Sequence, residues 1–185
     1  MKKIFPATTT TFETPCGPLL LGAEDGKLCL CTWLNEAKKE QVETAQEDKS
    51  ADATNLAVLA EACRQLGEYF NGKRQDFQLP LLTRGTAFQQ DAWCAMQTIR
   101  YGETISYAEE ARRAGHPTAL RAIGNANHQN PLAIIVPCHR VVASNGGLGG
   151  YGGGLWRKRF LLQLEGVSNE SGCRQRPNII ECGAI

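Results

Sequence analysis

The sequence predicts an α/β chain of the α+β kind, a small antiparallel sheet domain followed by a mostly helical domain with a helix-turn-helix. Three observations point there. Short β-like runs parted by Pro- and Gly-containing turns fill the first 33 residues, apolar residues at helical spacing dominate from Thr54 onward, and a stretch over 72–85 containing Pro80 joins the two regimes. The chain has 185 residues, 42% of them hydrophobic, with 20 Lys+Arg against 19 Asp+Glu. That balance excludes a disordered chain, and no apolar run reaches the roughly 18 residues of a membrane span.

The elements follow in order. Thr8–Glu13, Leu19–Ala23 and Lys27–Trp33 are separated by Pro15-Cys16-Gly17-Pro18 and Glu24-Asp25-Gly26, which fits an antiparallel meander. Asn35–Thr54 is rich in Glu, Lys, Gln, Asp and Ala and is either an exposed helix or a flexible loop. Leu56, Leu59, Cys63, Leu66 and Phe70 make 54–70 an amphipathic helix that stops near Asn71-Gly72. Thr86-x-x-Gln89 is a capping box, and its helix should run to about Arg100, burying Phe88, Trp93, Met96 and Ile99. Ser106-x-x-Glu109 repeats the device for a short helix ending at Ala114, before Gly115-His116-Pro117, and Thr118 can cap a further helix through Asn127. Two short helices across a Gly-containing turn suggest a helix-turn-helix, with an ordinary helical hairpin as the alternative. Leu132–Val136, bracketed by Pro131 and Pro137, should be a buried extended segment. Seven glycines around Tyr151 over 145–154 form a loop that can approach a ligand closely, and Leu155–Glu165 resumes helical spacing. The expected division is 1–85, 86–166 and a tail over 167–185.

Met1-Lys2-Lys3-Ile4-Phe5-Pro6 turns polar at Thr8, so no apolar core of an export signal follows, and a cytoplasmic protein is expected. The eight cysteines are scattered through a chain large enough to build a core without staples, and are expected to be mostly reduced. Charge is uneven. Residues 1–85 carry 10 basic and 12 acidic groups, residues 86–166 carry 8 and 5, and no Asp or Glu lies between Glu110 and Glu165. That acid-free stretch holds seven Arg and Lys residues and all three histidines, a surface that would not repel a polyanion.

The chemistry concentrates at Pro137-Cys138-His139-Arg140. A thiolate is the reactive form of cysteine, and cationic neighbours are expected to lower the thiol pKa from about 8.5. Adjacent side chains on extended backbone point to opposite faces, so contact between Cys138 and His139 needs a turn or a bridging water. Glu165 can orient the imidazole as the third member of a Cys-His-Glu relay, and Asn130 can bind neighbouring backbone.

Asn130-Pro131-Leu132-Ala133-Ile134-Ile135-Val136-Pro137-Cys138-His139-Arg140-Val141-Val142, then Gly150-Tyr151-Gly152-Gly153-Gly154, Lys158 and Leu161-Leu162-x-x-Glu165-Gly166, resembles the 6-O-alkylguanine-DNA alkyltransferases, or methylated-DNA–protein-cysteine methyltransferases. The likeness continues upstream through Thr86-x-Phe88-Gln89, Gly102-Glu103-x-Ile105-Ser106-Tyr107 and Ala119-x-Arg121-Ala122-Ile123-Gly124, about 80 residues in all, and more loosely at Thr14-Pro15-x-Gly17-Pro18-Leu19. The resemblance implies a ribonuclease-H-like first domain and a winged-helix-like second one. It implies that Cys138 takes the alkyl group from guanine O6, or from 4-O-methylthymine, once per molecule. It makes His139 the group that deprotonates the thiol through water, Glu165 its orienting carboxylate, and Tyr107 the donor to the flipped base. The carbonyls of Cys138 and Val141 would accept from the guanine amine, Tyr151 and Gly152 would wall the alkyl pocket, and Asn130 would be a hinge. Arg121 would fill the gap left by the flipped nucleotide, with Thr118, Ala119, Ala122 and Asn127 along a minor groove. The implied partner is duplex DNA with alkylated bases, bound largely without regard to sequence, in the nucleoid of a bacterium or the nucleus of a eukaryote. A monomer without cofactor and without membrane contact is expected.

Gly152 departs from the Ser or Ala that many relatives carry after the loop tyrosine. Some members hold zinc in the first domain. Here Cys29 and Cys31 alternate on a strand and no histidine precedes His116, so no metal site is expected. The alternatives are a lesion-sensing DNA-binding relative without transfer, which would lack the cysteine, a cysteine hydrolase that turns over, and a plain helix-turn-helix regulator.

Overall fold

The computed structural model describes residues 8–34 and 52–167. The segment expected as exposed helix or loop lies outside these residues up to position 51, and so does nearly all of the tail, with Cys173 and Cys182.

Strands β1 (Thr8–Phe12), β2 (Leu19–Glu24) and β3 (Lys27–Trp33) form an antiparallel sheet in that order. Asp25 and Gly26 turn β2 into β3 with φ of 52° and 66°, the Asp-Gly geometry whose twist matches paired strands. The central strand β2 is buried on both faces. Leu19, Leu21 and Ala23 enter the main core and Leu20 joins Leu34 in a smaller cluster, which explains its unbroken apolar run.

Helix α1 (Ala53–Phe70) begins where the Asp52 side chain accepts from the Thr54 amide at 2.9 Å. Its buried face differs from the expected one. Asn55, Leu59, Ala62, Gln65, Leu66 and Tyr69 point inward, while Leu56 is 50% exposed. The rotation has a polar cause. Asn55 accepts from the Gly26 amide at 2.8 Å and donates to Thr8, Gln65 exchanges two bonds with the backbone of Gln78, and Tyr69 reaches Glu165. Polar side chains that find buried partners outweigh one leucine. The joining stretch is itself pinned to the sheet, because Leu28 donates to Pro80 at 2.8 Å and Leu82 donates back to Leu28 at 2.9 Å.

Helix α2 (Ala87–Gln97) carries the full capping box between Thr86 and Gln89. It stops three residues short of Arg100, because the amides of Thr98 and Ile99 tighten onto the carbonyls of Ala95 and Met96. Strand β4 (Ile105–Ser106) leads into α3 (Tyr107–Arg113), whose Glu109 amide donates to Ser106 Oγ at 3.1 Å. The second half of the expected box is not made, since the Glu109 carboxylate holds Arg112 and Arg113 instead. Gly115, at φ 80°, turns the chain toward α4 (Leu120–His128). Thr118 does not cap this helix. The cap position is Ala119, whose amide donates to the His116 carbonyl, so a backbone turn makes the entry. α2, α3 and α4 pack around Ala92, Ala111, Ile123 and Ala126, and Trp93 Nε1 donates to the Ala126 carbonyl at 3.0 Å. The antiparallel sheet followed by this helix-turn-helix is the α+β arrangement expected.

Leu132–Val136 is buried as expected but is a turn rather than a strand. Only Leu132 bridges to β3, at Cys31, after which Val136 donates back to Leu132 at 2.8 Å. Buried Ile134 sits at φ 72°, a conformation that a β-branched residue keeps only when its surroundings insist. Asn130 supplies the insistence by bonding both ends of the turn, donating to the Val136 carbonyl at 2.8 Å and accepting from the Leu132 amide at 3.0 Å. A 3-10 turn at Cys138–Arg140, strand β5 (Val141–Val142, parallel to β4) and helix α5 (Leu155–Leu164) follow. One core runs through both halves, joining Leu21, Cys31 and Leu66 to Trp93, Met96, Val136 and Leu161.

Candidate active site

The pinned turn delivers Cys138 to the head of the 3-10 turn, half-buried, with His139 and Arg140 fully inside. Cys138 and His139 thus lie on a turn and not on extended backbone. His139 Nε2 donates to Glu165 Oε1 at 2.8 Å, while Nδ1 has no hydrogen-bond partner. Arg140 donates to Glu165 through Nε at 2.9 Å and Nη2 at 3.0 Å, and its Nη1 donates to the Ile99 carbonyl at 2.7 Å. Tyr69 adds a bond at 2.7 Å and the Gly102 amide one at 3.2 Å. Glu165 sits at the C-terminus of α5 and collects donors from three other parts of the chain, at Tyr69, at Gly102 and at the His139-Arg140 turn.

Burial alone would raise the Glu165 carboxyl, but the bonds and charges of His139 and Arg140 outweigh it and hold the group at about 2. The imidazole is pushed below its ordinary value by burial, which the Glu165 carboxylate only partly offsets. The thiol corrects the expectation of a lowered pKa. Burial pushes Cys138 up, and the Asn130 hydrogen bond and the Lys158 charge recover only part of the shift. At rest the group is therefore a thiol. Of the two ring nitrogens of His139, Nε2 is committed to the carboxylate and Nδ1 is unpartnered.

The remaining expected residues fall in three places. Around the thiol, Val141 is buried on β5 and its carbonyl accepts from Lys158 Nζ at 2.6 Å. Lys158 also donates to the Gly150 carbonyl at 3.1 Å, so one buried ammonium ties the glycine loop to the floor of the centre, and burial lowers its pKa to about 8. In the loop, Tyr107 lies over Gly149 so closely that a β-carbon at 149 would come within 2.9 Å of its ring. Tyr151 OH accepts from Trp33 Nε1 at 3.1 Å, and Gly152 faces the His128 ring. On the outside of α4, Arg121 and Ala122 are exposed, as is Thr118 before it, with Ala119 intermediate. Asn127 is not on that face. It is buried and donates to Glu110 at 2.7 Å.

Several site residues had no role from sequence. Tyr69, Arg140 and Trp33 reach the centre only through the fold. Arg140 had a signal in its position beside the Cys-His pair, and Lys158 in its place within the motif, whereas nothing local marks Tyr69. Arg157 stacks between Trp33 and Trp156, with its Cζ 4.7 and 4.6 Å from the ring centres, and donates to the Cys16 carbonyl. Asn125 and His128 join Arg121 and Ala122 on the exposed side of α4. Among the described residues the six cysteines are free, no cluster of three or more His, Cys, Asp or Glu is placed to hold a metal, and no helix is long and apolar enough to cross a membrane.

This geometry has relatives. Residues 87–167 match the DNA-binding domain of the 6-O-methylguanine DNA methyltransferases and residues 8–83 match their ribonuclease-like domain. The chain is 44% identical to the methylated-DNA–protein-cysteine methyltransferase of Methanosarcina acetivorans over 84% of this chain and 96% of that one. It is also 44% identical to the constitutive enzyme of Bacillus subtilis, over 86% and 95%. A Mycobacterium tuberculosis O6-methylguanine methyltransferase structure superposes with a TM-score of 0.73 at 44% identity, covering 85% of this chain and 91% of that one. A Mycobacterium tuberculosis OGT in complex with DNA superposes at 0.70 and 44% identity, covering 84% and 90%. Matched along both halves and at this identity, the chain belongs to the 6-O-methylguanine DNA methyltransferase family.

Proposed function

We propose that this protein is a methylated-DNA–protein-cysteine methyltransferase that repairs DNA by moving the alkyl group of 6-O-methylguanine, and of 4-O-methylthymine where it is met, onto its own Cys138. The observation that carries the reading is a half-buried thiol whose neighbour in the chain, His139, is buried against Glu165, in a domain whose helix α4 exposes Arg121 and has no acidic residue. His139 Nδ1 takes the thiol proton through a water molecule, and Glu165 holds the imidazole by Nε2 and stabilises its charged form. The thiolate attacks the alkyl carbon, so a C–S bond forms as the C–O bond breaks. The electron pair returns to O6, toward which the Tyr107 hydroxyl donates, and guanine regains its carbonyl once its ring nitrogen is protonated. A thioether is not hydrolysed by these groups, so each molecule acts once.

In-line attack on that carbon is blocked within the base stack, so the nucleotide must rotate out at a cost of a few kcal/mol. Arg121, exposed on α4, offsets that cost by entering the gap. The small residues Ala119 and Ala122 let the helix lie in the minor groove, and phosphate contacts make binding largely independent of sequence and sensitive to salt. Residues 86–166 carry binding and transfer, residues 1–85 support the lesion loop through Trp33, and a monomer suffices, acting wherever the cell keeps its DNA. The test is a duplex carrying one 6-O-methylguanine, followed by intact mass and peptide mapping. One methyl group on Cys138 per molecule, without turnover, is the expected result. An unmodified protein that still binds the duplex would overturn transfer in favour of lesion sensing.

A further inference from the structure

Three buried side-chain nitrogen or oxygen atoms of the described residues lack a hydrogen-bond partner, and two of them belong to one pair. Glu110 on α3 is completely buried and accepts from Asn127 Nδ2 on α4 at 2.7 Å through Oε2, leaving Glu110 Oε1 and Asn127 Oδ1 both orphaned. A carboxylate cannot satisfy the amide oxygen, because it has no proton to give. A carboxylic acid satisfies both atoms at once. We propose that Glu110 is held as the neutral acid in a cyclic pair with the Asn127 amide, its Oε1–H donating to Oδ1, and that this pair positions the helices carrying Tyr107 and Arg121.

The surroundings favour the neutral form. Glu165, equally inaccessible, remains a carboxylate because Arg140, His139, Tyr69 and Gly102 all donate to it, whereas Glu110 has one uncharged donor. From α5 the Lys158 ammonium favours ionisation at a distance, but it donates to the Val141 and Gly150 carbonyls. Burial holds Cys138 in the 3-10 turn and Tyr107 on α3 itself in their neutral forms, so neither adds a charge where Glu110 titrates. α2 and α4 meet α3 through Ala92, Ile123 and Ala126. Burial raises the Glu110 carboxyl to about 7, against the opposing effects of Asn127 and Lys158.

The pair should then be intact below neutrality and open above it. A folded-state pKa raised from its ordinary 4.5 to about 7 means that stability is fully present below 4.5 and is lost as pH rises through 7. An ionised Glu110 also sets a negative charge near the thiol and raises its pKa further. Glu110→Gln separates the possibilities, since its amide keeps the cyclic pairing at every pH. Wild-type protein at about pH 6 should show the infrared carbonyl stretch of a protonated buried carboxyl, and E110Q should lack it. From about pH 5 to about pH 8 the Tm of E110Q should rise relative to wild type, and the Cys138 thiol should titrate lower in E110Q. No protonated-carboxyl band in the wild type, or a Tm of E110Q that falls relative to wild type over that range, would overturn the proposal. The spectral and thermal measurements use no DNA, so their failure is distinct from failure of the alkyl-transfer reading on which the link to Tyr107 and Arg121 rests.

Discussion

Among the described residues, the first half of the molecule keeps its ion pairs on the outside, and the second half buries a set of them. Arg64 with Glu61 and Glu68, Arg74 with Glu68, and Arg84 with Glu24 all lie at the surface or partly exposed. The second half has such pairs too, as at Glu109 with Arg112 and Arg113, but it also takes His139, Arg140, Lys158, Glu110 and Glu165 out of water. The same side-chain types do different work in the two settings. A surface pair trades water for a partner at little gain, whereas a buried charge must have every lone pair and proton answered or its desolvation is uncompensated. The four donor groups on Glu165 answer that demand, and in meeting it they fix the imidazole of His139. The first half contributes to this cluster through Tyr69, so a helix distant in sequence helps hold the Glu165 carboxylate.

Changes graded by depth sharpen the contrast. Cys138→Ser removes the reacting atom and leaves the buried charges alone, so it should fold and bind an alkylated duplex yet transfer nothing, read by intact mass. Glu165→Gln leaves Arg140 buried without its counter-charge and turns an NH2 group on its donors. A loss of about 3–5 kcal/mol in urea unfolding is expected, together with slower transfer and a raised thiol pKa in the pH-rate profile. The acid limb has a definite sign. A Glu165 carboxyl held at about 2 contributes stability above its ordinary 4.5 that is lost as pH falls from 4.5 toward 2, so the deficit of the variant should shrink over that window. An unchanged pH-rate profile would remove Glu165 from the relay.

Arg121→Ala tests an exposed charge proposed to act on DNA rather than on the fold. Duplex repair should weaken by about tenfold, equivalent to about 1.4 kcal/mol, while reaction with the free alkylated base is unchanged, and equal losses would rule out the gap-filling role. Tyr69→Phe deletes one of the bonds to Glu165 and should cost about 1 kcal/mol in urea unfolding, with a small effect on transfer. Arg84→Ala, which breaks only an exposed pair with Glu24, should leave the unfolding midpoint where it was. A large loss there would break the distinction between the halves.

Much of the site was legible in local sequence. Cys138, His139 and Glu165 stood out by residue type, spacing and family resemblance, and the Thr86–Gln89 box and the Asp25-Gly26 turn by short-range capping and turn chemistry. The failures share a cause. Spacing alone puts the apolar stripe of α1 one step off because Asn55, Gln65 and Tyr69 look like surface residues until their distant partners are known. The 132–136 run reads as extended chain because its bracketing prolines do not reveal that Asn130 folds it into a turn. The expected lowering of the thiol pKa counted the cations nearby and omitted the burial that outweighs them. By itself, then, the sequence determined most of the elements, the candidate reactive residues and the acid-free stretch, since propensity, capping and spacing act within a few residues. Only the tertiary structure decided which helix face turned inward, which way Asn127 points and which protonation states hold at rest. Those depend on desolvation and on hydrogen-bond partners such as Tyr69 and Glu165, which are 96 residues apart along the chain and 2.7 Å apart in the fold.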